Sequence, residues 1–474
     1  MVKMFNKIVI FFLGACIGLL GFFSPGALFL LIAVGFTCLA LRHYTHGRQR
    51  VFLISVFLIA FCIRLIVSLT LDLSALAIFP SAAMREVKNP IPADDDYQNL
   101  IKENTRTFFK IGDSDYSSAR GYMYAAAARG MDNKVIRHYL DPTSSYGVNG
   151  YLYVIGMFYF LFGYSPITVK FLNCYFGAVA VIFIYLLGRN YNEIAARIAC
   201  FFMIFFPSLI LWSTTDLKDT STMLASVLLV YSITLIMRKI TLSSLLLMIF
   251  ALLMQFFLTK RDLWFLSLIS LFLVFFTGIF FNLSQRQKTR LCVSVILIAL
   301  PLVSLTHIFD NAVITRMHKL FIHHIGNVHT QGISYRVLDE SYYHDPDSIY
   351  EMPTQKLITS SIMAVIHFLL EPFPSRFLHK NFIVVWPQMI FWYSLIPSIF
   401  LGIILLLRNC MQKSLPVFIY TFLTTCSIAI GSGNVGTVFR HRDYVTQFYL
   451  LFAAIGISNC FKAKEGKREN EVVF

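Results

Sequence analysis

Long apolar runs, interrupted at short intervals by polar and basic residues, repeat along almost the whole chain. A helix needs about 20 apolar residues to cross the hydrocarbon of a membrane, and runs of that order recur. The pattern predicts transmembrane helices over residues 5–23, 27–41, 51–71, 166–187, 194–212, 219–237, 241–258, 263–282, 291–308, 389–407, 415–433 and 443–461. An even number of spans places both termini on the same side.

Basic residues between these spans indicate which side faces the cytoplasm, because short cytoplasmic loops carry an excess of Lys and Arg. With the N-terminus inside, the inside segments contain 17 Lys and Arg residues, and the short outside loops contain five. We therefore expect a multi-pass membrane protein with both termini in the cytoplasm.

Two apolar segments are too short to cross. Residues 150–162 are apolar over only 13 positions, which favours a helix in the membrane interface. Residues 357–370 are treated in the same way, because a helix cannot continue straight past Pro372. These segments lie in two long outside loops, predicted over 72–165 and 309–388.

Composition supports the same fold class. The chain is 57% hydrophobic and 14% charged, whereas soluble proteins average about 25% charged residues. We predict an all-α integral membrane protein with about twelve transmembrane helices and two long extracytoplasmic loops that bear interfacial helices. Its predicted parts are an N-terminal hairpin (1–50), a membrane-embedded domain (51–461) and a basic cytoplasmic tail (462–474).

Charge and cysteine usage exclude two other classes. The net charge of +15 is divided among many short loops, so it does not form the single basic patch that nucleic-acid binding requires. None of the nine cysteines lies in the long polar loops, so no disulfide framework is expected there.

Candidate bases lie in the first long outside loop. Asp94, Asp95 and Asp96 are adjacent, and Asp113 and Asp115 form a second group. Neighbouring carboxylates repel each other, which can raise the pKa of one of them and make it a general base. The alternative is a pair of solvated turns, because Asp is common in turns.

Basic residues on the outer side run against the usual charge bias. They suggest sites for an anionic ligand, because Lys and Arg pair well with phosphate. The alternatives are a helix cap at Asp216 or Asp219 and charged side chains that extend to lipid head groups. The candidates for substrate binding are Lys218, Asp219, Lys260, Arg261, Arg440 and Arg442.

Two further features receive no role. His318, His323, His324 and His329 fall in the second long loop, and their spacing leaves a divalent metal as an open alternative. No Cys or paired carboxylate completes a recognised ligand pattern, so no metal ligand is predicted and no cofactor is certain. Arg64 lies inside a predicted span.

The order of these groups resembles that of the GT-C glycosyltransferases, most closely the branch of the protein O-mannosyltransferases and the bacterial lipid A aminoarabinose transferases. The motifs that carry the resemblance span most of residues 51–461. They are Asp94-Asp95-Asp96-Tyr97, the interfacial segment from Gly150 to Gly163, Lys170-Phe171-Leu172-Asn173, residues 207–219, Glu371-Pro372-Phe373-Pro374, and Arg440 with Arg442. The long first loop and its duplicate Asp113-Ser114-Asp115-Tyr116 depart from the family pattern.

The resemblance implies a transfer reaction. A polyprenyl-phosphate-linked sugar would be the donor, and a glycan, a lipid or a protein would be the acceptor. A loop carboxylate would deprotonate the acceptor hydroxyl, while outer-face Lys and Arg stabilise the departing lipid phosphate. Membrane lipid is the expected surrounding partner, and nucleic acid is not expected.

Two rival functions remain at this stage. A transporter or flippase of lipid-linked saccharides needs charged or polar residues at mid-membrane on several spans, and apart from Arg64 the spans have few. A polysaccharide polymerase or ligase has similar chemistry and similar outer loops.

Overall fold

The computed structural model describes residues 24–78, 114–132, 136–137, 140, 150–258, 261–282, 306–329, 333–376 and 385–471. Within these ranges the regular structure is helical, and the only β-type pairing is an isolated bridge between Ser334 and Asn434. The all-α prediction is therefore confirmed for the part of the chain that is described.

The helices follow the apolar runs of the sequence. They are α1 (Pro25–Tyr44), α2 (Gly47–Ile78), α3 (Ser114–Ala128), α4 (Gly150–Phe162), α5 (Pro166–Gly188), α6 (Glu193–Phe205), α7 (Pro207–Ser213), α8 (Asp219–Arg238), α9 (Leu242–Leu258), α10 (Arg261–Asn282), α11 (Thr306–Val328), α12 (Glu340–His344), α13 (Thr354–Leu370), α14 (Trp386–Gly431), α15 (Val435–His441) and α16 (Asp443–Glu471). Two 3₁₀ turns, Pro346–Glu351 and Pro374–Arg376, flank α13.

Five of the described helices are long and apolar enough to cross a membrane. They are α1, α2 over Gly47–Asp72, α5, α8 and α14, and the bent pair α6–α7 adds a sixth if it is one span. The chain is thus a helical membrane protein. Twelve spans stay a prediction: residues 5–23 and most of 291–308 lie outside the described part, and α9 has only 17 residues.

Helix α14 accounts for two of the predicted spans. Its backbone leaves the helical conformation at Cys410 (φ −141°, ψ 28°). Tyr449 of α16 packs edge-on against the ring of Trp392, with centroids 5.9 Å apart, and bonds Thr425 over 2.9 Å. In a straight helix, Trp392 and Thr425 would be roughly 50 Å apart. The two halves of α14 therefore run antiparallel beside α16, joined at Cys410.

Small residues allow α14 and α16 to approach closely. A Cβ atom added at Gly402 would collide with the carbonyl of Phe452, and one added at Gly456 would collide with the carbonyl of Ser398. Membrane helices commonly pack through such small-residue contacts, because backbone proximity replaces the hydrophobic driving force that is absent in lipid.

Of the two short apolar helices, α4 has the predicted extent, and α13 begins three residues before the predicted segment 357–370. Helix α4 covers residues 150–162, and α13 ends at Leu370, directly before Glu371 and Pro372. Helix α13 is amphipathic: its buried face includes Phe368, while Ile358 and Ile362 are exposed on the other face. Their placement in the membrane interface stays a prediction.

The described chain forms two compact units, a division that the sequence did not predict. Unit 1 comprises Met1–Phe183, Cys200–Val227 and Leu253–Lys260. Unit 2 comprises Ile184–Ala199, Leu228–Leu252 and Arg261–Phe474. Each unit contains its own cluster of buried polar residues.

Candidate functional site

A buried ion pair lies at the end of the membrane-crossing part of α2, in unit 1. The ammonium of Lys170, near the start of α5, contacts Asp72 Oδ1. The side chains of Lys170 and Asp72 are only 1% and 9% exposed. Loss of one partner from such a pair leaves an uncompensated buried charge and costs about 3–5 kcal/mol. The pair therefore needs both members.

Asn173, one helical turn after Lys170, connects this pair to two other segments. Its side-chain amide donates to the carbonyls of Thr215 and Leu217 over 2.6 and 2.9 Å. Its carbonyl oxygen accepts a 2.9 Å hydrogen bond from the Tyr151 hydroxyl of α4. The Lys170–Asn173 motif and the turn before α8 are thus brought together.

The turn between α7 and α8 is almost entirely buried although it is polar. The Thr215 hydroxyl donates a 2.9 Å hydrogen bond to the carbonyl of Trp212. Asp216 is fully buried, and Asp219, which begins α8, is 2% exposed. Lys218 is half-buried, and its carbonyl accepts the first backbone bond of α8. Lys218 and Asp219, both predicted as substrate-binding residues, therefore lie at this turn.

Tyrosines of α4 face the same turn. Burial, and next the negative charge of Asp216, raises the pKa of both Tyr151 and Tyr159 well above the usual range. These hydroxyls therefore remain protonated and act as hydrogen-bond donors or acceptors. The Tyr159 hydroxyl lies 2.8 Å from Ser118 Oγ of α3.

Helix α3 contributes a further buried cation. Arg120 is fully buried, and Gly121 beside it lets α3 pack closely on Ile155 of α4. We call Asp72, Lys170, Asn173, Asp216 and Asp219 the unit 1 polar cluster. Of these, Asp72 was not singled out from the sequence.

The structure does not describe the side chains of several predicted site residues. Asp94, Asp95, Asp96, Asp113 and Lys260 fall outside the described residues. Asp115 is on α3 and Arg261 begins α10, but their side chains are also outside the described part. Their roles stay predictions.

Arg442, in unit 2, lies in an interior site. It is 2% exposed, and its Nη1 donates to the carbonyls of Phe368, Leu369 and Glu371 over 3.4, 3.2 and 2.9 Å. These carbonyls end α13, where they have no helical donor. The contacts favour a role in capping α13 over phosphate binding. Arg440 is half-buried near the end of α15.

Glu371 is the centre of a second cluster, in unit 2. Its fully buried carboxylate accepts a 3.2 Å hydrogen bond from the Phe373 amide. It also lies 3.0 Å from His367 Nδ1 and 3.3 Å from Arg376 Nη2. The ring of Tyr335 is stacked on His367, with centroids 4.5 Å apart.

The four histidines of the predicted metal alternative do not meet. All are on or directly after α11, but His318 and His324 are buried while His323 and His329 are exposed. His324 instead lies 2.5 Å from the Ser432 carbonyl and 3.1 Å from the Tyr343 hydroxyl. Among the described residues, no group of three or more His, Cys, Asp and Glu could hold a metal ion.

No family model, curated protein or solved structure matches this chain. The functional argument therefore rests on the chain's own residues, namely the unit 1 polar cluster and the cluster around Glu371.

Proposed function

We propose that this protein is a membrane glycosyltransferase that moves a sugar from a polyprenyl-phosphate-linked donor to an acceptor on the extracytoplasmic face. The acceptor is a glycan, a lipid or a protein. The chain would reside in a bacterial inner membrane, with its termini in the cytoplasm and the segments 72–165 and 309–388 outside.

The observation that carries the proposal is the unit 1 polar cluster. Charged side chains at the ends of membrane helices normally reach water, whereas Asp72, Lys170, Asp216 and Asp219 are all at least nine-tenths buried. Ionisable groups in such places are costly and are most often retained for function. Acids, a lysine and amides that meet beside lipid are the groups that recognise a phosphorylated sugar.

In the proposed reaction, a carboxylate removes the proton from the acceptor hydroxyl. The oxygen then bonds to the anomeric carbon, whose bond to the phosphate oxygen breaks, and lipid phosphate departs with the electron pair. We assign the base to one of Asp94, Asp95 and Asp96, with Asp113 and Asp115 as alternatives. A positioned base contributes about 10²–10⁴-fold in rate.

Phosphate stabilisation is assigned to the basic residues Lys218, Lys260, Arg261 and Arg440. Asp219 would fix the start of α8 beside Lys218. Arg442, predicted from sequence to join this set, is given a supporting role because its guanidinium contacts the carbonyls of α13.

The proposal is tested by transfer assays on purified protein in lipid nanodiscs with labelled polyprenyl-phosphate sugars. Mass spectrometry of cell-surface glycans and lipid-linked intermediates, with and without the protein, identifies the donor and acceptor to use. Asn173→Ala should lower transfer by at least about tenfold, because it releases the turn before α8 from α5 and α4. Each loop Asp is changed singly to Asn, which keeps the shape but cannot take the proton.

Arg197→Gln supplies the matched control, because Arg197 is half exposed and pairs with Glu193 on its own helix. It should retain wild-type transfer. If no lipid-linked sugar is consumed and no glycan changes in cells, the transferase proposal fails.

A further inference from the structure

The loop between α5 and α6, in unit 2, is attached to two later helices by its own polar side chains. The Tyr191 hydroxyl donates a 3.2 Å hydrogen bond to the Lys413 carbonyl of α14, three residues after the break at Cys410. The side-chain amide of Asn192 donates over 3.2 Å to Ser458 Oγ of α16. The end of α5, the break of α14 and this part of α16 therefore lie together.

The end of α8 meets the same loop. Burial raises the pKa of Tyr191 well above its usual range, and the charge of Arg238 opposes that rise, so this guanidinium lies near the Tyr191 hydroxyl. Tyr231, about two turns before Arg238 on α8, is within reach of the charges of both Arg238 and Arg189. Three chain segments thus bring Arg189, Arg238 and Lys413 to the surroundings of Tyr191. We call these four residues the Tyr191 cluster.

The cations of this cluster are exposed and poorly compensated. Within the part of the chain that the structure describes, Arg238 and Lys413 form no ion pair. Arg189 shares the carboxylate of Glu193 with Arg197, which is the nearer partner at 3.0 Å against 3.5 Å. Four cations and one carboxylate leave three positive charges. Like charges held near one another repel, so an anion that lies between them is favoured.

Exposed aliphatic side chains flank these cations. Ile240 and Leu242 follow Arg238 closely in the chain, and Leu407 and Met411 lie beside the break of α14; all four are exposed. A small inorganic anion would contact the cations alone. Cations next to exposed aliphatic groups at the ends of membrane helices instead suit an amphiphile, whose anionic head group and acyl chains use both.

We propose that the Tyr191 cluster binds the head group of an anionic phospholipid, with the lipid phosphate between Arg189, Arg238 and Lys413 and the acyl chains along the flanking aliphatic side chains. This ligand is a lipid of the surrounding membrane and not the donor of the proposed transfer, so the inference is independent of the proposed function. The predicted topology places these loops on the cytoplasmic side, where anionic head groups attract basic residues. A bound lipid joins the α5–α6 loop, α8 and α14.

The test titrates dioleoyl phosphatidylglycerol into the full-length protein in an uncharged detergent and measures bound lipid by native mass spectrometry. Dioleoyl phosphatidylcholine, which has the same acyl chains and no net charge, is the reference. Phosphatidylglycerol should bind more tightly and should raise the melting temperature, because a ligand of the folded state stabilises that state. Equal affinity for the two lipids would overturn the proposal.

Substitutions then locate the site. Each basic side chain near an anionic head group contributes about fivefold in affinity, so Lys413→Gln should weaken binding of phosphatidylglycerol about fivefold and the double variant Arg189→Gln with Arg238→Gln about 25-fold. The matched control is Arg42→Gln with Arg48→Gln, which removes two charges from exposed residues of α1 and α2 in unit 1. It should retain wild-type binding. An equal loss in this control, or no loss with Lys413→Gln, would show that the three cations do not form one site.

Sodium phosphate distinguishes a lipid site from a simple anion site. Because phosphate has no acyl chains, an equal concentration of it should displace little phosphatidylglycerol from the wild type. Complete displacement would mean that the aliphatic side chains contribute nothing and that the assignment to a lipid is wrong. All five substituted side chains are exposed, and thermal unfolding without added lipid checks that each variant is folded.

Discussion

The Arg64 guanidinium donates a 2.9 Å hydrogen bond to the Met203 carbonyl, the same carbonyl that Pro207 leaves without a helical donor. In a continuous helix, the amide of residue 207 would bond to Met203, but proline has no N–H. Helices α6 and α7 bend by 56° at this break. An unsatisfied carbonyl in the membrane costs several kcal/mol, so Arg64 stabilises the bend. The one charged residue that favoured a transporter thus has a structural partner.

Gly177 provides the space that Arg64 occupies. A Cβ atom there would lie 2.6 Å from Arg64 Nε. We expect Gly177→Ala to destabilise the protein by about 1–3 kcal/mol through this overlap, measured by thermal unfolding in detergent. In an Arg64→Met background the same change should cost much less, because the clashing group is gone. Gly35→Ala, with open space around it, is the control. If the losses of stability from Gly177→Ala and Arg64→Met were additive in the double variant, the two residues would not be coupled.

The pair of Asp72 and Lys170 should show strong coupling as well. Lys170→Met and Asp72→Asn are each expected to lower the free energy of unfolding by about 3–5 kcal/mol, because each leaves one buried partner without its counterpart. The double variant should lose less than the sum. If the two charges contact the substrate, the double variant should still lack transfer activity. Full activity in the double variant would show that the pair has only a structural role.

Because α14 and α16 approach closely, we expect substitution of either of two glycines to lower the stability of the protein. Gly402→Ala and Gly456→Ala should each destabilise by about 3 kcal/mol, near the upper end of overpacking effects, since the obstructing atoms are backbone carbonyls. Gly326→Ala on α11 meets nothing within 4 Å and should be neutral or stabilising. Unchanged melting temperatures in the first two variants would show that the helices do not pack in this way.

Stability should depend on pH through His324. Its pKa is lowered by burial to about 4, while an unfolded histidine titrates near 6.5. Between about pH 6.5 and about pH 4, the unfolded chain binds a proton at this histidine and the folded chain does not. The stabilisation is therefore complete above about pH 6.5 and declines as the pH falls to about 4. In thermal unfolding, His324→Gln should flatten this dependence and His329→Gln should retain it.

Local sequence was sufficient for some elements. The 13 apolar residues of α4 and the proline that follows α13 define those helices, and Arg408 and Lys413 mark the polar break that appears at Cys410 in α14. Helix extents depend on neighbouring residues, so the apolar pattern predicts them well.

The sites depend on distant pairs, which a single sequence does not reveal. Asp72 meets a lysine 98 positions away, and its sequence signal, a lone acid at the end of an apolar run, is common at helix ends. The basic motif was visible at Arg440 and Arg442, but its contacts were not. Only the structure shows that Arg442 contacts peptide carbonyls, because a guanidinium can donate hydrogen bonds to phosphate or to backbone carbonyls equally well.

The Arg442 contacts also impose an order on biogenesis. The carbonyls that end α13 obtain this donor from a residue 71 to 74 positions later, just before α16. During synthesis, α13 therefore emerges long before the group that completes its C-terminal end. A nascent chain that stops before residue 442 would leave this end open to proteolysis. Synthesis of Arg442 is then the step that completes this end of α13.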